Sequence, residues 1–200
     1  CHMPLVTSND FGAQPFGDSG QLQVHNHLFP GANTGIAWFR DRPQVIATQQ
    51  EFLAGTMRVD LFGIRDGGAL SDQLHAPLRP GVPTLKAGTS YLLDAVIRTV
   101  KLGHLFTQGT VDSNEVWLEV TVSSGDRVIG ASGKFDADRE VDPWSHFVNV
   151  FLLDVNGRRI DRRNPQDIFT PLYNHQIPPG AGVPVPIQMV ASMLSTSKET

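Results

Sequence analysis

The chain has 200 residues, 40% of them hydrophobic and 18% charged, with a formal net charge of −4 and a single cysteine. A chain of that length buries roughly 70% of its unfolded surface. Its weak negative charge, with cations scattered and not striped, argues against nucleic acid as a partner. One cysteine excludes an internal disulfide framework, and no apolar run approaches the roughly 18 residues that span a bilayer.

The sequence opens on Cys1-His2, which matches the last two letters of a C-x-x-C-H haem-attachment motif. It matches equally an expression remnant, because His-Met before the first native residue is a common one. The cysteine favours a processed or truncated native chain. Residues 4–23 are rich in Gly, Pro, Ser, Asp and Asn and read as an irregular connector. His25 and His27 form H-x-H before Phe29-Pro30-Gly31. On a strand that spacing puts both rings on one face.

Proline at the start, apolar Val45, Ile46, Phe52 and Leu53, and terminal Gly55 predict one short amphipathic helix over about 43–54. Residues 1–55 are thus expected to form an N-terminal segment with a single helix. From Met57 the period changes to two. Strands are expected from Met57 to Arg65, over 91–100, over 115–122, over 127–132 and over 146–155. Asn156-Gly157 then signals a hairpin with a return strand at Arg158–Arg162. Residues 183–190 read as an edge strand, since Pro184 and Pro186 cannot donate to a ladder. About seven strands separated by turns predict an immunoglobulin-like antiparallel β-sandwich over 56–191, with a tail at 192–200. Nineteen glycines and fourteen prolines fit a mainly β chain with long loops.

The seven histidines are the chemical inventory. For His25 and His27 the options are a metal site or a loop cap, and no further ligand word completes a zinc site. His104 stands where a strand ends, and His146 begins a strand after Asp142-Pro143-Trp144-Ser145. With Asp112, Glu115 and Asp142 these two could form a polar network or a metal site at one pole of the sandwich. His75 and His175 lie in proline-containing loops with no readable role. No G-x-S-x-G elbow and no glycine-rich phosphate loop is present, so nothing supports a hydrolase or a nucleotide enzyme.

Together the words Cys1-His-Met-Pro-Leu5, His27-Leu-Phe-Pro-Gly-Ala-Asn-Thr34, Gly103-His-Leu-Phe106, Gly109-Thr-Val-Asp-Ser113, Glu115-Val-Trp117, Ser132-Gly133, Asp142-Pro143, His146-Phe147, Tyr173-Asn174 and Ile177-Pro-Pro-Gly180 occur in order across most of the chain. That ordered set resembles the C-terminal region of bacterial multihaem c-type cytochromes related to the cytochrome c554 group. The resemblance implies covalent haem c, with Cys1 a thioether donor and His2 the proximal iron ligand. His27, or second to it His25, is implied as a distal ligand. His104 aligns with a family histidine that usually precedes a P-T-G or P-G-G turn, and here Thr107-Gln108-Gly109 follows instead. The implied role is electron transfer outside the cytoplasm, without catalysis in this region. Its partners would be other haem domains, redox proteins or further cytochrome chains, and membrane association would come only through segments outside this sequence. The competing expectations are a haem-free sandwich that binds a protein or glycan, and a small non-haem metalloprotein using His25/His27 or His104/His146.

Overall fold

The computed structural model describes residues 3–31, 34–109 and 111–190. The tail expected at 192–200 lies outside them. The chain divides into two units, residues 1–56 and 57–200. Among the described residues no helix is long and apolar enough to cross a membrane.

In the first unit the segment expected to be an irregular connector carries strands β1 (Leu5–Thr7), β2 (Gln14–Pro15) and β3 (Leu22–His25), paired antiparallel in the order β1-β3-β2. These strands are two to four residues long, too short to show the alternation that marks a strand in sequence. Helix α1 (Thr34–Phe39) precedes the expected helix α2 (Pro43–Leu53), so the described residues of the unit hold two helices and not one. Pro43 opens α2, where its missing N–H costs nothing. Gly55 adopts φ 73° just past its end, a left-handed position that favours glycine. Ala37 is the one buried hydrophobic residue among the described residues of this unit, whereas Phe11, Leu28, Trp38 and Phe39 are all exposed.

The second unit is built on a four-stranded antiparallel sheet of β4 (Met57–Asp66), β5 (Leu74–His75), β6 (Ser90–Thr99) and β14 (Gly182–Val190), in the order β14-β6-β4-β5. The edge expectation for the last strand is met: Pro184 and Pro186 sit opposite Val96 and Asp94, with β6 the only neighbour of β14. The remaining strands form smaller antiparallel sheets. Strand β7 (Trp117–Leu118) pairs with β10 (His146–Phe147), and β8 (Val120–Ser124) with β9 (Arg127–Ser132). A three-stranded sheet has the order β12-β11-β13, from β12 (Arg159–Ile160), β11 (Val150–Leu153) and β13 (Thr170–Asn174). This mainly β chain of open antiparallel sheets is of the expected class, but its strands are shorter and more numerous than the sequence suggested.

Two expected strands break in the middle for identifiable reasons. At Glu119 the chain leaves one partner strand for another. Gly133, at φ 78°, lies against this break, and a Cβ there would meet the Leu118 carbonyl oxygen and come within 3.0 Å of Glu119 Cα. At Val148-Asn149 the regular ladder is also interrupted, with Val148 N–H still donating to the Val116 carbonyl at 2.8 Å, and Val148 enters the core. The Asn156-Gly157 turn forms as expected, with Gly157 at φ 75°. Asp154 Oδ1 accepts the backbone N–H groups of Asn156 and Arg158, each at 2.8 Å. These bonds, the one from Arg158 foremost, hold the Asp154 carboxyl below the usual carboxylate range.

The core is centred on Ile97, Val148, Ile177 and Val185, with Met57, Phe106, Val116 and Leu118 packed against it. A second cluster joins Val150, Leu152 and Ile160. The core thus takes residues from the four-stranded sheet and from the segments facing it, in a sandwich-like layering.

Candidate functional site

Cys1 and His2 lie outside the described residues, as do Ala32 and Asn33 of the second histidine word. Met3, Pro4 and Leu5, which continue the Cys1-His2 word, are described. Pairing of β1 with β3 sets Leu5 opposite His25, and Asn26 N–H donates to the Pro4 carbonyl at 2.9 Å. One residue further on, His25 Nδ1 donates to the Met3 carbonyl at 3.0 Å. A carbonyl can only accept, so Nδ1 carries the proton and Nε2 the lone pair. The His25 ring also meets Phe16 edge-on, with centroids 5.1 Å apart.

His27 is placed differently, which corrects the expectation that both rings share a strand face. Strand β3 ends at His25, and the Asn26 side chain turns the chain by accepting the Leu28 N–H at 2.9 Å. Asparagine in this position competes with a ladder for backbone donors. His27 is exposed beyond the turn, edge-on to Phe29 with centroids 5.8 Å apart. No described residue hydrogen-bonds its ring nitrogens. Of the two histidines, His25 caps the preceding segment, and His27 keeps both nitrogens open to a ligand.

In the second unit His104 is half-buried and directs Nδ1 at the Leu105 carbonyl, 2.9 Å away. Its loop is tied to a distant segment, since Phe106 and Ile177 exchange backbone hydrogen bonds and Gln176 Nε2 donates to the Thr107 carbonyl. The carboxylates grouped with it by sequence have separate engagements. Asp142 accepts the N–H groups of Gly133 and Trp144, and Glu115 pairs with Arg159 at 3.2 Å. Asp112 is buried. Among the described residues no three His, Cys, Asp or Glu side chains stand close enough to hold a metal ion.

The contact that sequence reading missed is His146 on His175. Their rings are parallel within 3°, with centroids 5.5 Å apart. His175 is fixed by its backbone N–H on Asn149 O at 2.9 Å and by Nδ1 on Phe147 O at 3.0 Å. Tyr173 lies 4.7 Å from His175 and 5.5 Å from Phe151, and the Arg159 guanidinium covers the Phe151 ring at 4.8 Å. The β11–β13 register sets Val150 opposite Asn174 and so brings these rings together. No spacing in the sequence signals that register. Stacked parallel rings hold their lone pairs in separate planes, so the pair does not converge on one metal ion in this arrangement.

Burial, and then the neighbouring His175, lower the pKa of His146 below the ordinary value near 6.5. The folded chain therefore resists protonation here more than the unfolded chain does. Linkage gives stability that is full above about pH 6.5 and falls as the pH drops below it. Replacing His146 with Gln is expected to flatten this fall, read as a smaller drop in urea midpoint between about pH 7.5 and 5.5 than the parent shows. An unchanged drop would remove His146 as its source.

The chemistry of the donor set is compatible with haem. Porphyrin supplies four of the six iron ligands itself, so one exposed imidazole per axial position suffices. The three-ligand cage that these residues lack is not required. No family model matches the chain, and no curated protein and no solved structure matches it.

Proposed function

We propose that this chain is an electron-transfer module of an extracytoplasmic multihaem c-type cytochrome, with Cys1 and His2 belonging to a covalent haem c site and His27 serving as an axial ligand. The observation that carries this reading is the tie between His25 and Met3. Chain distant in sequence returns to the residues that continue the Cys1-His2 word, and it does so two residues from an exposed histidine whose ring no described residue occupies. The ordered motifs shared with multihaem cytochromes point the same way.

The character of the first unit adds support. A segment of this size with Ala37 as its buried hydrophobic residue has little core of its own. Exposed Trp38, Phe39, Leu28 and Phe11 offer apolar surface suited to covering a porphyrin or packing on a neighbouring haem domain. When bound, haem supplies a one-electron iron couple, and two imidazoles on the iron leave no open position for substrate. The chain's own part is to hold His27 beyond the Asn26 turn, anchor β3 through His25, and set the polarity around the ring. Redox proteins or other haem domains are the partners this predicts.

The test uses the protein purified from the cells that make it. Alkaline pyridine treatment is expected to give the haemochrome spectrum of haem c, with colour that remains on the polypeptide after acid-acetone extraction. A colourless protein, or haem that extracts freely, overturns the proposal.

A further inference from the structure

We propose that the second unit binds an uncharged lipophilic molecule bearing a neutral oxygen, in the cleft between the β8–β9 hairpin and the face of the four-stranded sheet. A cavity of about 680 Å³ lies there, bounded by Val122, Ile129 and Gly130 on the hairpin side and by Leu93, Ile187 and Met189 on the sheet side. A second cavity of about 310 Å³ shares Leu85, Leu93, Val120, Val122, Ser123 and Met189 with it, so the two are parts of one cleft. Small-molecule sites occupy roughly 300–1,000 Å³, whereas packed interiors hold few voids much larger than a water molecule.

The reason for the gap is legible in the hairpin. Where β8 and β9 cover the sheet they present Gly130, Ala131, Ser123, Ser124 and Ser132, which are too small to reach across it. Gly130 pairs with Val122 across the hairpin, and a Cβ added there meets nothing nearer than Val122 Cβ at 4.0 Å. The space is therefore not closed by crowding around the glycine. Among the described residues no third strand joins β8 and β9.

The lining specifies the ligand. Among the described residues no Asp, Glu, Lys, Arg or His borders these two cavities, and His146 lines a smaller adjoining one of about 180 Å³. A charged head group would be desolvated there without a counter-charge, at a cost that excludes it. The aliphatic walls suit a chain or fused ring. The Ser123, Ser124 and Ser132 hydroxyls and the Gln188 amide are the available hydrogen-bond partners, matched to one hydroxyl or carbonyl on the ligand.

The full chain titrated with the neutral fluorophore N-phenyl-1-naphthylamine should take up the probe saturably at one site. Below its micelle concentration 1-dodecanol should displace the probe, and dodecyltrimethylammonium should not. Two separate filling substitutions, Gly130→Leu and Ser132→Leu, should each weaken uptake at least about tenfold with circular dichroism unchanged; Ser132 stands opposite Val120 in the hairpin. Either folded variant is sufficient if the other fails to fold. The proposal is overturned if the parent shows no saturable uptake, or if the cationic chain competes as well as the alcohol. It is equally overturned if both filled variants bind as the parent does. Uptake that appears only after deletion of residues 191–200 would show that the chain's own segment is the occupant, and uptake that tracks a dimer in sedimentation would assign the cleft to a second copy; both overturn it.

Discussion

Replacing Asp94 with Leu is expected to destabilise the protein by about 3–5 kcal/mol, the range for breaking one partner out of a buried ion pair. Asp94 lies on central strand β6, opposite Gly63 of β4 and Pro186 of β14, and only 7% of it is exposed. Its Oδ2 accepts from Arg65 Nη2 at 3.1 Å, with 20% of the Arg65 side chain accessible. The guanidinium has other acceptors, the Leu70 carbonyl at 2.8 Å and the Asp72 carbonyl at 3.4 Å, but these are neutral. Among the described residues Arg65 Nε has no hydrogen-bond partner. Without Asp94 the positive charge stays half-enclosed between strands with only neutral carbonyls bonded to it, and this residual charge, more than the lost attraction, sets the size of the effect.

The companion variant separates the two causes. Converting Arg65 to Met together with Asp94 to Leu removes both charges and keeps apolar volume, so most of the lost stability should return. Urea unfolding of the parent, both single variants and the double variant measures this directly. A loss below about 1 kcal/mol for the Asp94 variant would place the pair in the class of solvent-screened surface bridges.

The second large effect concerns the iron. In haem-loaded protein His27→Ala is expected to open an axial position, converting one haem from low spin to high spin and letting it bind carbon monoxide. His25→Ala is expected to leave that haem low spin, because the His25 ring is already bound through Nδ1 to Met3. Its loss should instead loosen the β1–β3 pairing, seen as faster proteolysis of the first unit. Optical and electron paramagnetic resonance spectra of the two variants side by side distinguish the roles. If the haem becomes high spin in His25→Ala and stays low spin in His27→Ala, the ligand is His25 and the assignment to His27 fails.

Particular elements show why some features could be read in advance. The α2 helix has Pro43 at its start and Gly55 past its end, and both signals act within a few residues. The Asn156-Gly157 turn depends on one left-handed glycine and one Asp154 side chain. The two prolines of β14 forbid a central position, and the strand lies at the edge. Strands β1, β2 and β3 were hidden because each is only two to four residues long, too short for an alternation to stand out. The break at Glu119 was hidden for a related reason: the alternation of Val116, Leu118, Val120 and Val122 runs through it unbroken. The change of partner is marked only by Gly133, which is distant in sequence.

The candidate sites divide in the same way. The sequence alone settled which side chains are available: one cysteine, seven histidines, a mainly β pattern and a net charge of −4. It could also place His25 beside His27. That His25 is tied to Met3 while His27 stands free, and that His146 stacks on His175, was decided by strand registers that join residues 22 and 29 positions apart. The cleft under the β8–β9 hairpin likewise appears only when small residues of the hairpin face the β6–β14 sheet. Local signals act through backbone torsions and neighbouring side chains. Registers and cavities come instead from cooperative packing of distant strands, for which no short stretch of this sequence carries the instruction.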